Sequence, residues 1–109
     1  MSTRSLSVES DAADVTKEQL IQDFKVVVAD AEALAILLPH LDHVVQVTDA
    51  EVAHAMRALY TDTHNVAEGA GAASFAAAMQ ERAHLRGQVV GTTLCGGNVD
   101  APVFAQVIS

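Results

Sequence analysis

The stretch VAEGAGAASFAAAM, residues 66–79, constrains the fold of this chain more than any other feature. It is apolar on nearly all sides, so a helix formed here has no polar face to turn toward water. Gly69 and Gly71 each cost such a helix about 1 kcal/mol relative to alanine. That cost is compensated where another backbone or a flat ligand lies close against the glycines. The segment therefore predicts a helix that is sandwiched inside a larger body.

Composition limits what can surround that helix. Hydrophobic residues make up 50% of the 109-residue chain but aromatic residues only 4%, which predicts one small domain with a core of modest stability. The formal net charge is −8 and the basic residues are scattered, so binding to nucleic acid or to an anionic membrane surface is disfavoured. A single cysteine excludes an internal disulfide framework, and no signal-peptide core or membrane-spanning run is visible. We therefore predict a cytoplasmic protein.

The polar N-terminus differs from the rest of the chain. Residues 1–14 are serine-rich and acidic, which predicts a polar arm, and residues 15–109 predict a partial α/β domain. Thr16 opens a capping-box pattern that predicts a helix over residues 16–25. The β-branched residues 26–28 fit either a short strand or the end of that helix.

Cap residues and valine runs mark the elements in the middle of the chain. Asp30 is placed to cap a short helix that ends at Pro39. The valines of residues 44–47 predict a strand. Thr48 and Glu51 have the spacing of a capping box, and they predict a further helix with one apolar face.

The last third of the chain predicts a helix, a buried strand and a second helix in succession. The alanine-rich helix is predicted over residues 66–84 and ends before Gly87, and the apolar residues 88–94 predict a buried strand. A final short helix is predicted over residues 101–108. Because helices alternate with strands, the fold class is α/β with a parallel sheet. Two or three strands make that sheet small and incomplete.

The sequence TTLCGGNVD, residues 92–100, contains the first candidate for a functional site. A strand that enters Cys95-Gly96-Gly97 and leaves into a helix forms a loop at its carboxyl end, where open α/β sheets bind ligands. The two glycines allow the backbone to approach a bound group closely. A tight turn beside a small buried cysteine is the alternative, and the residues alone leave both interpretations open.

Other polar residues give weaker candidates. Glu68, at the start of the alanine-rich helix, suits either the helix dipole or a pocket. His40, Asp42 and His43 are of the types that bind metals, but zinc needs three or four ligands and no second cluster completes the set. We therefore predict no metal site, and a solvated corner is the simpler interpretation. Ser74 lacks the Gly-x-Ser-x-Gly context of a nucleophile.

Residues 63–100, THNVAEGAGAASFAAAMQERAHLRGQVVGTTLCGGNVD, resemble the C-terminal part of the threonine dehydratase and serine racemase family. The resemblance rests on an acid followed by a glycine- and alanine-rich helix, and on a strand that ends in Cys-Gly-Gly-Asn. Residues 41–59, LDHVVQVTDAEVAHAMRAL, are similar to the strand-then-helix segment of the same family. The resemblance implies the C-terminal part of the large domain of the fold-type II enzymes, which use pyridoxal phosphate (PLP).

That resemblance also implies roles for individual residues. In the family, the residue that matches Cys95 hydrogen-bonds the pyridine nitrogen of PLP, and a neutral partner there suits β-elimination from serine or threonine. Gly96 and Gly97 would let the chain pass close to the ring, and Glu68 matches an acid near the cofactor pocket. The implied activity is that of an ammonia-lyase, which deaminates threonine or serine to a 2-oxo acid and ammonia.

The chain departs from the family in two respects. It has no Ser-x-Lys-x-Arg stretch to supply the lysine that binds the cofactor covalently, since its lysines are Lys17 and Lys25, and it lacks the glycine-rich loop that cradles the phosphate. We therefore expect a fragment without deaminase activity of its own, completed by a missing N-terminal half or sealed by self-association. One alternative is a non-catalytic remnant or interaction module that docks on an intact relative. Another is a stand-alone binder of a small ligand at the Gly-Gly turn.

Overall fold

The structure is a computed structural model, and it describes residues 5–10, 16, 18–22 and 30–109. For residues 5–10 the description covers the backbone only. The elements in chain order are β1 (Ser5–Ser10), a helical segment at residues 18–22, α1 (Ala31–Leu37), a 3₁₀ turn (Leu38–His40), β2 (Leu41–Val47), α2 (Asp49–Thr63), α3 (Gly69–Gln80) and α4 (Ala101–Ile108).

β1 and β2 form a two-stranded parallel sheet in which Val8 lies opposite Val45. Parallel strands need a crossover connection, and this one includes α1. The side chains of Val44, Val45 and Val47 are buried. The strand predicted over residues 44–47 is therefore confirmed, and so is the α/β class with a small parallel sheet.

β1 lies in the stretch that the sequence predicts to be a polar arm. Ser5–Ser10 has the sequence SLSVES, which shows little of the β-branched character typical of strands. The strand forms because β2 offers an edge, and pairing there satisfies backbone groups of both segments. Over residues 5–10 the structure thus replaces the loose arm with a strand. The domain boundary at residue 14 lies outside the described residues and stays a prediction.

The helical segment at residues 18–22 begins where the sequence places a cap. Thr16 Oγ1 accepts a hydrogen bond from the backbone N–H of Gln19 at 3.1 Å. The helix predicted over residues 16–25 is thus present at residues 18–22. The alternatives for residues 26–28 lie outside the described residues.

Asp30 and Thr48 cap α1 and α2 as their positions predict. The carboxylate of Asp30 accepts from two backbone N–H groups of α1, and Pro39 lies in the 3₁₀ turn that ends this helix. Thr48 and Glu51 exchange the two hydrogen bonds of a capping box. The hydrogen bond from the Thr48 backbone lowers the pKa of the Glu51 carboxyl; partial burial opposes this, and the amide of Gln80 adds to it. Both caps are therefore confirmed.

The core lies between β2 and the facing sides of α2 and α3. Its buried members are mostly small or β-branched: Val45, Val47, Ala55, Met56, Ala67, Ala72, Ala76 and Ala77. α4 packs on α2, where the rings of Tyr60 and Phe104 meet edge to face with their centroids 5.3 Å apart. Small side chains let the elements approach closely, but each buries little apolar area, so the core gains less free energy per residue than a leucine-rich one.

Residues 88–94 are the largest departure from the sequence prediction. The sequence predicts a buried strand, whereas the structure shows an irregular, exposed segment in which Val89 is 92% exposed. An apolar run becomes a buried strand only where a neighbouring strand supplies hydrogen bonds and a second layer covers it. Within the part of the chain that the structure describes, the one sheet pairs β1 with β2, and residues 88–94 join neither. The strand prediction is therefore wrong.

The last two helices lie close to their predicted positions. α3 is shorter than predicted, because residues 81–87 continue as turns up to Gly87, whose φ is +79°. α4 occupies the predicted residues 101–108. Among the described residues, no helix combines the length and the apolar character that crossing a membrane requires.

Candidate functional site

Residues 93–97, which we call the cysteine loop, lie against the start of α3. Glu68 is the N-cap residue of α3, and its backbone N–H donates a hydrogen bond to the carbonyl of Gly96 at 2.9 Å. The side chain of Glu68 makes no cap hydrogen bond to its own helix. Its position at the start of the helix is as predicted, but its backbone serves to attach a second segment of the chain.

Ser74 attaches the other side of the cysteine loop. Its hydroxyl donates to the carbonyl of Thr93 at 2.8 Å and accepts from the N–H of the same residue at 3.2 Å. A serine inside a helix often bonds instead to a carbonyl of its own preceding turn. Here the hydroxyl pairs with both backbone groups of one residue, as a neighbouring strand would. Cys95 therefore lies between two points of attachment.

Gly71 allows the cysteine loop to come this close to α3. The residue is buried, and a β-carbon on it would collide with the carbonyl of Cys95. A β-carbon on Gly69, by contrast, would lie 3.6 Å from the side chain of Val52, which is an ordinary contact. Of the two glycines that the sequence singles out in this helix, only Gly71 is needed for close approach, and the approaching group is a backbone.

The two glycines of the loop are constrained in different ways. Gly96 has a φ of +71°, in the left-handed region that favours glycine, and the carboxylate of Glu68 occupies the space where a β-carbon would lie. A β-carbon on Gly97 would lie 3.1 Å from the carbonyl of Val66, closer than an ordinary contact. Conformation and packing therefore both require glycine at Gly96, and packing favours it at Gly97.

Cys95 is exposed and its thiol is not in a disulfide. A turn built around a buried cysteine is therefore not what the structure shows. The residues that the sequence assigns to the cofactor come together at one end of α3: Cys95, Gly96, Gly97 and Glu68. The cysteine loop therefore carries an exposed cysteine that is followed by two residues without a side chain.

His43 lies between the carboxylates of Asp42 and Glu81. Its Nδ1 is 2.6 Å from Asp42 Oδ2, and its Nε2 is 3.2 Å from Glu81 Oε1. In the described part of the chain, no group of three or more histidine, cysteine, aspartate or glutamate side chains is arranged to hold a metal ion. The contact links β2 to the residue that follows α3.

The contact between Ser74 and Thr93 is the part of the site that sequence reasoning missed. One signal was available, because Ser74 is the single hydroxyl side chain in α3, and a hydroxyl in an apolar setting needs a hydrogen-bond partner. Nothing in the sequence identifies that partner, since Thr93 lies 19 residues away.

Comparisons with known proteins cover the same region. The sequence profile of a family described as "Pyridoxal-phosphate dependent enzyme" matches residues 3–96. A provisionally named threonine dehydratase of Sinorhizobium fredii (strain NBRC 101917 / NGR234) is 38% identical over 69 residues. That alignment covers 63% of this chain and 21% of the relative, so the match spans about a fifth of the relative's length.

Proposed function

Because the chain belongs to the pyridoxal-phosphate-dependent enzyme family, we propose that its cysteine loop faces the cofactor of an enzyme that deaminates threonine or serine. The products are a 2-oxo acid and ammonia, and the name of the Sinorhizobium relative supports this reaction. One observation carries the proposal: the cysteine loop and Glu68, distant in sequence, meet at the start of α3. The same proposal includes a cytoplasmic location, where an exposed free thiol such as that of Cys95 stays reduced.

Each residue of the loop has a distinct part in this proposal. Cys95 is exposed, and its thiol would hydrogen-bond the pyridine nitrogen of PLP when the cofactor is bound. Gly96 and Gly97 place no side chain between the loop and the ring, and the Glu68 carboxylate packs over Gly96 on the helix side. When bound, PLP supplies the electron sink for removing the Cα proton and the β-hydroxyl group of the substrate. A neutral partner at the ring nitrogen suits this elimination.

The described residues fit one edge of a PLP site and not the whole. The spaces beside Gly71, Gly96 and Gly97 are filled by the protein's own atoms, so these glycines do not form an open cradle for a phosphate. The part of the chain that the structure describes contains no lysine, because Lys17 and Lys25 lie outside it.

The same proposal holds that the 109-residue chain alone does not catalyse the deamination. The lysine and the phosphate contacts would come from other residues of a longer polypeptide or from another chain. Two observations support this: the sequence contains neither a Ser-x-Lys-x-Arg stretch nor a glycine-rich phosphate loop, and the match covers 21% of the length of the relative.

Reductive trapping tests the lack of independent activity. The chain is incubated with PLP, reduced with borohydride and digested, with Lys17→Arg and Lys25→Arg variants as matched controls. We expect no stoichiometric pyridoxyl label on a peptide that contains either lysine, and no 2-oxobutyrate from threonine. Stoichiometric labelling that one of the two variants abolishes, together with 2-oxobutyrate release, would overturn this part of the proposal.

A chimera tests whether the cysteine loop faces the cofactor. The stretch of the Sinorhizobium relative that aligns with this chain is replaced by the aligned residues of this chain, and the loop is included in the exchange. We expect the chimera to bind PLP and to release 2-oxobutyrate from threonine. Cys95→Val should then shift the PLP absorbance and lower activity, whereas Cys95→Ser, which keeps a neutral hydrogen-bonding group, should preserve both. A folded chimera in which Cys95→Val changes neither property would contradict the proposal.

Exposed apolar side chains favour a second candidate function, that of a non-catalytic module which docks on an intact relative. Val89 is 92% exposed, and Val90 and Leu94 are also exposed in the same irregular segment. Size-exclusion chromatography of the chain with and without the intact relative distinguishes the outcomes. Co-elution with the relative supports the module, while elution of the chain as a multimer of itself supports self-association and counts against it.

A further inference from the structure

We propose that Ser74 is a positioning residue for Cys95 and acts through the backbone of Thr93. This inference rests on the proposed function, because the position of the Cys95 thiol matters to catalysis only if the cysteine loop faces the cofactor. The Ser74 hydroxyl fixes the residue two places before Cys95, and through it the path of the loop.

The geometry gives Ser74 one of two attachments that bracket Cys95. On one side, the hydroxyl makes its reciprocal pair with the Thr93 backbone at 2.8 and 3.2 Å. On the other side, the N–H of Glu68 bonds to the carbonyl of Gly96 at 2.9 Å. Between them, the carbonyl of Cys95 lies in the space that Gly71 leaves open. The position of Cys95 is thus set from both directions along the chain.

No other attachment precedes Thr93 for several residues. Gln88 bonds to the turn before it, through the carbonyls of Leu85 and His84. Among the described residues, 89–92 make no hydrogen bond, and Val89 is almost fully exposed. Without the Ser74 hydroxyl, the chain from residue 89 to Cys95 would have no hydrogen bond to the rest of the protein.

The chemistry of the contact explains why a serine is used. One atom must accept from the N–H of Thr93 and donate to its carbonyl, and a hydroxyl oxygen does both. Alanine and valine do neither. Threonine keeps the hydroxyl, and it has nearly the same shape as valine, so a comparison of Ser74→Thr with Ser74→Val isolates the hydroxyl from the volume of the side chain.

A nitroxide label on Cys95 reads the position of the loop directly, because Cys95 is the single cysteine of the chain. We expect an immobilised spectral component in the parent chain and in Ser74→Thr, and loss of that component in Ser74→Val and Ser74→Ala. Amide exchange of Glu68 should be about tenfold faster in the variants that lack the hydroxyl, since the adjacent attachment opens more often. Thr92→Ala is the matched control at an exposed neighbour and should change neither reading.

Several outcomes decide the proposal. Thermal unfolding followed by circular dichroism establishes that each variant is folded. The amide of Val52 in α2, which donates to the carbonyl of Thr48, serves as an internal reference for exchange. Equal label mobility and equal Glu68 exchange in folded Ser74→Thr and Ser74→Val would overturn it.

In the chimera, Ser74→Val should shift the PLP absorbance as Cys95→Val does, and Ser74→Thr should not. A response of the label without any such shift would support the positioning of Cys95 and refute the proposed contact with the cofactor.

Discussion

Residues 88–92 and the cysteine loop at 93–97 are adjacent in sequence, but they differ in how they are attached to the rest of the protein. The loop is attached to α3 at Thr93 and at Gly96. Among the described residues, 89–92 make no hydrogen bond, although Val89 and Val90 are as apolar as the Leu94 and Cys95 of the loop. Along α3 and its N-cap residue, the loop meets the hydroxyl of Ser74, the N–H of Glu68 and the space beside Gly71. The difference shows that apolar composition does not attach a segment to the fold unless another surface offers it hydrogen-bond partners and space.

The largest expected effect comes from closing the space that admits the loop. Gly71→Ala places a β-carbon in the position of the Cys95 carbonyl, so the loop or the helix must move. We expect the free energy of unfolding to fall by about 3 kcal/mol. Gly69→Ala is the matched control on the same helix, and should be neutral or stabilising by up to about 1 kcal/mol because its β-carbon meets only an ordinary contact. Urea unfolding of both variants provides the measurement. Equal free energies of unfolding for Gly71→Ala and Gly69→Ala would show that the loop does not pack against Gly71.

A smaller effect is expected from the left-handed glycine of the loop. Gly96→Ala introduces a β-carbon at a φ of +71° and displaces the Glu68 carboxylate, so we expect a loss of about 1–2 kcal/mol. Gly87→Ala is the control, because its φ is +79° and no atom lies within 4 Å of its β-carbon position. Gly96→Ala should therefore cost more than Gly87→Ala. Adding Glu68→Ala should remove the excess, and an excess that persists would show that the carboxylate is not its cause.

The capping box of α2 is a local contact, in which Thr48 and Glu51 bond to each other within one helical turn. Thr48→Ala removes the hydroxyl that accepts from the Glu51 N–H, and should cost about 1 kcal/mol in thermal or urea unfolding. Because the folded state lowers the pKa of Glu51, the ionised carboxyl contributes stability above its unfolded pKa, and that contribution is lost as pH falls through the folded pKa.

Glu51→Gln tests the pH dependence of this contribution. The parent chain should lose its stability advantage over Glu51→Gln on acidification, and the two should converge at low pH. Urea unfolding at a series of pH values measures this difference. An advantage of the parent that stays constant down to strongly acidic pH would contradict the assignment of the shift to Glu51.

The smallest effect on stability is expected in the exposed stretch. Val89→Ser changes a side chain that is 92% exposed, so the free energy of unfolding should stay within about 0.5 kcal/mol of the parent value. The same change should reduce binding of a hydrophobic dye or lower the degree of self-association, since it removes part of the exposed apolar surface. A large loss of stability would mean that Val89 packs against the rest of the protein in solution, and would remove the contrast with the attached cysteine loop.

Elements with local determinants were the ones that the sequence predicted well. Asp30, Thr48 and Glu51 mark the starts of α1 and α2, because a cap and its partners lie within three residues of one another. Elements that depend on distant partners were not predicted. Ser5–Ser10 is a strand because β2 lies beside it, and residues 88–94 are not a strand because no described strand does.

The same distinction between local determinants and distant partners applies to the candidate site. Cys95, Gly96, Gly97 and Glu68 were identified from their motif, and the structure brings them together. Ser74 was not identified, because a lone hydroxyl in an alanine-rich helix has many equivalent explanations until its partner is known. The pairing of Ser74 with Thr93 is a property of the fold, and no pattern of neighbouring residues records it.

The packing of the cysteine loop on α3 is the claim on which the rest depends, and nuclear Overhauser effects at Gly71 test it most directly. In the structure, the carbonyl oxygen of Cys95 occupies the position where Gly71 would carry a β-carbon, and the carbonyl oxygen of Gly96 lies 2.9 Å from that position. We expect cross-peaks from the α-protons of Gly71 to the amide proton of Gly96, together with a protected Glu68 amide. A folded chain that shows neither the cross-peaks nor the protection would contradict this packing, because the loop would then not be held at α3.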